Sequence, residues 1–232
     1  MVYSDKERSF QDFFKIINSS FKQQIEEEKL YNLHQNIYNL NELVHIHVNN
    51  NDTVKYYNEM LRNIFEAIFL GTIAREVPSY HMIRSVLELF AKIEISRGTN
   101  CTVKRKFSEN IDLFIKNKKQ GNKATKRIIV SAKDALKNKY HELCEIVHTG
   151  ENINIKNLEV MEEIFVYKKN QECFVNIVDK INEILVLLIK IDLMAHSNFY
   201  FNKMSSAIFS DYKNQYLDST EKYYSYLVTE NN

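Results

Sequence analysis

The chain has 232 residues, 44% of them hydrophobic and 26% charged, with four Gly, one Pro and a formal net charge of +1. So few turn formers exclude a β-rich fold and favour long helices joined by few connections. The near-neutral total removes any global steering toward nucleic acid or an acidic membrane, and three cysteines without metal-like pairing (Cys101, Cys144, Cys173) fit a reducing compartment better than a disulfide scaffold.

The N-terminal stretch MVYSDKERSF carries charge but no apolar core of a secretory signal, so a cytoplasmic location is expected. Apolar residues then recur at helical steps. Phe10, Phe14, Ile17 and Phe21 make one stripe in a helix predicted over Ser9–Leu30, and Leu33, Ile37, Leu40, Leu43 and Val44 continue it, as a second helix or a bent extension, to His47. Asn49–Asp52 interrupts the pattern, and Asp52 or Thr53 is the expected cap of a helix carrying Tyr57, Leu61, Ile64, Phe65 and Ile68. Gly71 and Pro78 bracket its end. Ser79 is the expected cap of the next helix, through Ile83, Val86, Leu87 and Phe90 toward Gly98.

A shorter periodic segment, Val103–Ile115, leads into the polar, basic stretch KNKKQGNKATKR. A long helix is predicted from Asn122 or Thr125, through Leu136, Tyr140, Leu143 and Val147, to a stop at Gly150. Further helices are expected around Leu158–Phe165 and from Phe174 through Leu188. The run Ile184–Ala195 contains Lys190 and Asp192 and is too short to cross a bilayer, so it reads as a buried helix. The C-terminal segment is dense in Tyr and Phe, including Tyr212, Tyr216 and Tyr223. Such aromatics pack back on the core or line a partner surface, and packing is the safer expectation. The fold class that results is all-α: a helical bundle in one domain over 1–232, with additional terminal helices.

Several chemistries lack their signatures. Gly71, Gly98, Gly121 and Gly150 cannot form a phosphate-cradling loop, and there is no His-Glu-x-x-His or Cys-x-x-Cys pair. His45 and His47, two apart, point to different sides of a helix. No cofactor and no metal are therefore expected.

What remains is the helix end Tyr140–His148. Tyr140, Cys144 and His148 lie four apart and share a column beside the apolar stripe of Leu136, Leu143 and Val147. His148 falls in the last turn, where the carboxyl end of the helix favours its protonated form. Such a side chain either exchanges protons with a ribose hydroxyl or simply caps the helix dipole. Arg84 and Glu88 form a second pair, one turn apart on a strongly apolar helix. An inward-facing Arg84 requires a partner, and Glu88, Tyr140 and His148 are suitable.

RSVLELFAKIE (84–94) and YHELCEIVHTG (140–150) together resemble the helical HEPN superfamily, in its divergent, defence-associated, abortive-infection-like branches. The resemblance covers about residues 53–195. It implies a four- or five-helix bundle that dimerises, and a metal-independent ribonuclease in which an Arg precedes a His by a few residues. His148 matches the family histidine. The family arginine would fall at His141, Glu142 or Leu143, none of which is Arg, so Arg84 stands as the substitute cation, with Glu88 orienting it and Tyr140 as a positioning group.

Between Lys104 and Lys139 twelve Lys or Arg face three acidic residues, leaving the rest of the chain net negative. Lys104, Arg105, Lys106, Lys116, Lys118, Lys119, Lys123, Lys126 and Arg127 are the candidates for contacting an RNA phosphate backbone; the alternative is a solvated surface. The functional expectation is a bacterial or mobile-element defence protein acting on RNA. Its rival is a non-enzymatic module that binds a protein partner through the aromatic C-terminal region or by homodimerisation, or that binds nucleic acid without chemistry.

Overall fold

A computed structural model describes residues 2–19, 21, 25–47, 50–97, 102–118, 123–149, 171–219 and 221–222, with side chains placed for 6–19, 21, 25–47, 50–97, 102–116, 130–147, 171–219 and 221–222. Among the described residues there are nine helices and no strand: α1 (Val2–Asn18), α2 (Glu27–Ile46), α3 (Asn51–Thr72), α4 (Glu76–Ser96), α5 (Phe107–Lys118), α6 (Lys123–Thr149), α7 (Gln171–Ala195), α8 (Ser197–Lys203) and α9 (Ser206–Tyr216). The all-α class read from the sequence is the observed one. The helix expected around Leu158–Phe165 lies outside the described residues.

Local chemistry explains where the boundaries differ. The first predicted helix is two, because the chain leaves helical geometry at Asn18 and Ser19. The Asn18 side chain accepts from the Ile25 amide at 3.1 Å and the Ser19 hydroxyl donates to the Ile16 carbonyl at 2.7 Å. Short polar side chains here compete with the helix for its own backbone groups. The cap of α3 is Asn50 rather than Asp52 or Thr53, its side-chain oxygen accepting from the Thr53 amide at 2.8 Å. Helix α4 begins three residues before Ser79, at Glu76, and takes Pro78 into its first turn, where a missing N–H is harmless.

The core is arranged around α7, whose buried face includes Phe174, Ile177, Ile181, Leu185 and Leu188. It packs against α2, α3, α4 and α6, while α3 and α4 share the most extensive interface between any two helices. Ile64 of α3, Ile83 and Val86 of α4, and Ile181, Ile184 and Leu185 of α7 meet at one wholly apolar junction. No described helix is long and apolar enough to cross a membrane. The C-terminal aromatics pack inward: Phe209, Tyr212 and Tyr216 are buried. Tyr212 donates to Glu42 at 2.9 Å and Tyr216 to Asn36 at 2.8 Å, tying α9 to α2. These three rings pack on the core; Tyr223 lies outside the described residues.

The α3–α7 approach depends on Gly71. A Cβ there would come 3.1 Å from Ile177 Cδ1 and 3.2 Å from Phe174 Cδ2. A branched side chain must push α7 away, so Gly71→Val is expected to lower stability by about 1–3 kcal/mol, read by urea denaturation. An unchanged midpoint would show that the two helices do not rely on this contact.

Candidate functional site

Helices α4 and α6 pack against each other, and Leu87 and Phe90 of α4 and Leu136, Leu143 and Val147 of α6 are buried. Beside this seam the helical column at Tyr140 and Cys144 comes up against Arg84 and Glu88. The Tyr140 hydroxyl donates to Glu88 Oε1 at 3.0 Å. Arg84 Nε lies 3.9 Å from the same carboxylate oxygen, and Arg84 Nη1 lies 3.9 Å from Cys144 Sγ. The guanidinium carbon is 6.0 Å from the centre of the Tyr140 ring. Three of the four residues singled out from the sequence, Arg84, Glu88 and Tyr140, thus meet, and Cys144 joins them.

The side chains of Arg84 and Glu88 are 23% and 32% exposed, so this is a rim and not a sealed core. The carboxylate is shared between a phenol at hydrogen-bond distance and a guanidinium beyond it, and Arg84 Nε is enclosed and makes no hydrogen bond. The rest of the guanidinium, in a side chain 23% exposed, is the part that can receive an anion. Burial, reinforced by Glu88, pushes the Tyr140 phenol well above its ordinary pKa, so at neutral pH it is a donor and not a base.

Helix α6 carries His148 in its last turn, and the His148 side chain lies outside the described residues. The backbone register nonetheless places the residue. Glu88 meets Tyr140 and Arg84 meets Cys144, so α4 and α6 run antiparallel along this seam. The next turn brings the backbone of His148 level with Tyr80, about 6 Å along the axis from the Arg84–Cys144 level.

The positions where the resemblance would put an arginine serve other ends. Leu143 is fully buried. Glu142 bridges α6 to α7, accepting from Lys139 at 2.9 Å and Lys180 at 2.5 Å, and these two ammonium groups hold its carboxyl below the ordinary range. His141 is exposed.

Of the basic candidates, Lys104, Arg105, Lys106 and Lys116 are exposed, and the side chains of Lys118, Lys119, Lys123, Lys126 and Arg127 lie outside the described residues. The triplet 104–106 is fixed by Asn110, fully buried, which accepts from the Lys104 amide at 2.7 Å and donates to its carbonyl at 2.9 Å. The next residue, Phe107, stacks on Tyr140 with ring centres 4.2 Å apart. This stack joins the basic triplet to the Arg84 rim. Lys133 and Lys137, by contrast, both pair with Asp112.

A second cluster has no counterpart in the sequence reading. At the far end of α4, Arg97 Nη1 lies 2.5 Å from both Glu94 Oε1 and Asp192 Oδ1, with all three side chains at most 2% exposed. His196 Nε2 is 2.8 Å from the other Glu94 oxygen, and Tyr200 donates to Asp192 Oδ2 at 2.6 Å. His47, from the end of α2, sits edge-on to His196 with ring centres 4.2 Å apart and stacks on Phe199. Burial alone would lower the Arg97 pKa, but Asp192 and Glu94 raise it above its ordinary value, so it stays charged. Burial, then the Arg97 charge, push His47 down to about 3 and keep it neutral. The available signal was Asp192-x-x-x-His196-x-x-x-Tyr200, a polar column at four-residue steps.

No protein-family model, no curated protein and no solved structure matches this chain. The reading of the two clusters therefore rests on their own chemistry. Arg97 is the counter-charge that two carboxylates share in a dry interior. Arg97→Leu would strand both, and is expected to cost about 3–5 kcal/mol in chemical denaturation. A loss below 1 kcal/mol would mean that the carboxylates find another counter-charge.

Proposed function

We propose that this protein acts on RNA through the α4–α6 rim, as a metal-independent endoribonuclease of a defence system with an HEPN-like arrangement. The observation that carries the reading is the meeting of Arg84, Glu88 and Tyr140 on the column that leads to His148, with Arg84 partly exposed. The exposed triplet Lys104–Lys106, joined to the same rim through Phe107, supplies a path for the phosphate backbone.

In this reading the ribose 2′-oxygen attacks the adjacent phosphorus, its proton passing to the neutral form of His148, and the bond from phosphorus to the 5′-oxygen breaks, that oxygen taking a proton from water. The products are a 2′,3′-cyclic phosphate and a 5′-hydroxyl. Arg84 offsets the charge that builds on the non-bridging oxygens. Glu88 holds Arg84 toward them, and Tyr140 fixes Glu88 by donating to it.

One observation favours self-association alongside this activity. Phe65 and Phe69 lie one turn apart on the outer face of α3, 50% and 61% exposed. A second copy of the chain would cover that pair, and Phe65→Ser with Phe69→Ser should then convert a dimer to a monomer in sedimentation. A wild-type chain that sediments as a monomer removes the dimer without touching the rim.

The nuclease reading expects cleavage of single-stranded RNA in the presence of chelator, leaving cyclic phosphate ends. His148→Ala should reduce the rate by about 10²–10⁴-fold and Arg84→Ala by about 10²-fold or more, with Tyr140→Phe less affected. RNA left intact by folded wild-type protein, or cut equally well by His148→Ala, would contradict it.

A further inference from the structure

We propose that His47, Asp192 and His196 form a binding site for a divalent first-row transition ion such as Zn²⁺, separate from the RNA-directed rim. One ligand atom from each of the three lies within 4.8 Å of the others, and His196 Nε2 is 3.8 Å from Asp192 Oδ1. Ligands bound at about 2.0–2.1 Å in a tetrahedral site stand about 3.4 Å apart, so closing this set on an ion needs shifts of an ångström or so.

The elements that supply the ligands are already fixed. Asp192 and His196 share one face, four residues apart, across the turn where α7 passes into α8, and the His196 amide donates to the Asp192 carbonyl at 3.0 Å. His47 arrives from the C-cap of α2. Two imidazoles and a carboxylate are the donor set that suits zinc, iron or nickel and not calcium or magnesium. Glu94 Oε2, 2.8 Å from His196 Nε2, is within reach as a fourth, oxygen ligand.

A second, independent observation sets this cluster apart from an ordinary buried ion pair. His47 Nδ1 is enclosed and has no hydrogen-bond partner, which is costly for a polar atom shut away from water. Asp192 is not exhausted either. It receives Arg97 on Oδ1 and Tyr200 on Oδ2, and each carboxylate oxygen has two lone pairs.

The charges also leave room. Two carboxylates, Glu94 and Asp192, face the single guanidinium of Arg97, so a divalent ion would enter beside an excess of carboxylate. His47 is the least buried ligand, the other two being at most 8% exposed, so it is the point of entry from the surface. Glu94 stands ten residues beyond Arg84 on α4, about 15 Å along the axis. An ion here would lock α2, α4, α7 and α8 together and take no part in phosphate chemistry.

The test is titration of the purified full-length chain with Zn²⁺ by calorimetry, with Co²⁺ absorption as a report of nitrogen and oxygen ligation. The proposal expects one equivalent bound, a higher melting temperature with Zn²⁺, and affinity at least about tenfold weaker in His47→Gln and in His196→Gln. His45→Gln, altering an exposed histidine two residues from His47, should bind as the wild type does. His47 is partly exposed, so its variant should fold, and circular dichroism verifies this before titration. No stoichiometric uptake by the wild type overturns the proposal. So does equal weakening by His45→Gln and His47→Gln, or a folded His47→Gln that binds unchanged.

Discussion

The placement of one charge, the Arg97 guanidinium, constrains most of the interior. It sits between Glu94, one turn back on its own helix, and Asp192 on the central helix α7. Taking three charges out of water costs several kcal/mol per ion, and only close pairing offsets this. The geometry therefore has little freedom: the end of α4 must meet the end of α7 where the three groups coincide. His196 and Tyr200 extend the same network into α8, and the Tyr200 oxygen also lies 3.2 Å from the Leu43 carbonyl of α2. Four helices are registered on one polar knot inside an apolar core.

The same helix, α4, presents a second arginine in the opposite condition. Arg97 has two carboxylates at 2.5 Å, whereas Arg84 has one at 3.9 Å and a thiol. Arg97 is sealed, its side chain 2% exposed, whereas Arg84 is 23% exposed. A guanidinium closed in between carboxylates stabilises a structure, while one that is restrained and reaches solvent can stabilise something else. That contrast, more than the presence of arginine in a helix, is why the functional reading falls on the α4–α6 rim and the structural one on the far end.

Much of this was legible in the sequence because it depends on local periodicity. The stripes at Leu30–Val44, Ile83–Phe90 and Phe174–Leu188 are the observed buried faces. The Arg84–Glu88 pair and the Tyr140–Cys144 column were readable for the same reason, since residues four apart on a helix share a face. The break at Asn18 was not, because apolar residues continue through it and only side-chain hydrogen bonds end the helix. Nor was the Arg97 knot, whose partners stand 95 and 102 residues apart in sequence. Periodicity places residues on faces and says nothing about which faces meet. His47 shows the consequence: read beside His45 it had no purpose, and its neighbour is His196 from the other end of the chain.

The central claim is that Arg84 is the cation the fold leaves available to phosphate. The most direct test is the affinity of a 2′-deoxy-substituted RNA oligomer, which binds but cannot be cut, measured against salt concentration for the wild type, Arg84→Lys and Arg84→Gln. The account predicts that Arg84→Gln weakens binding and flattens the log affinity against log salt plot by about one phosphate contact, with Arg84→Lys between the two. Identical affinities and slopes for all three proteins would contradict it.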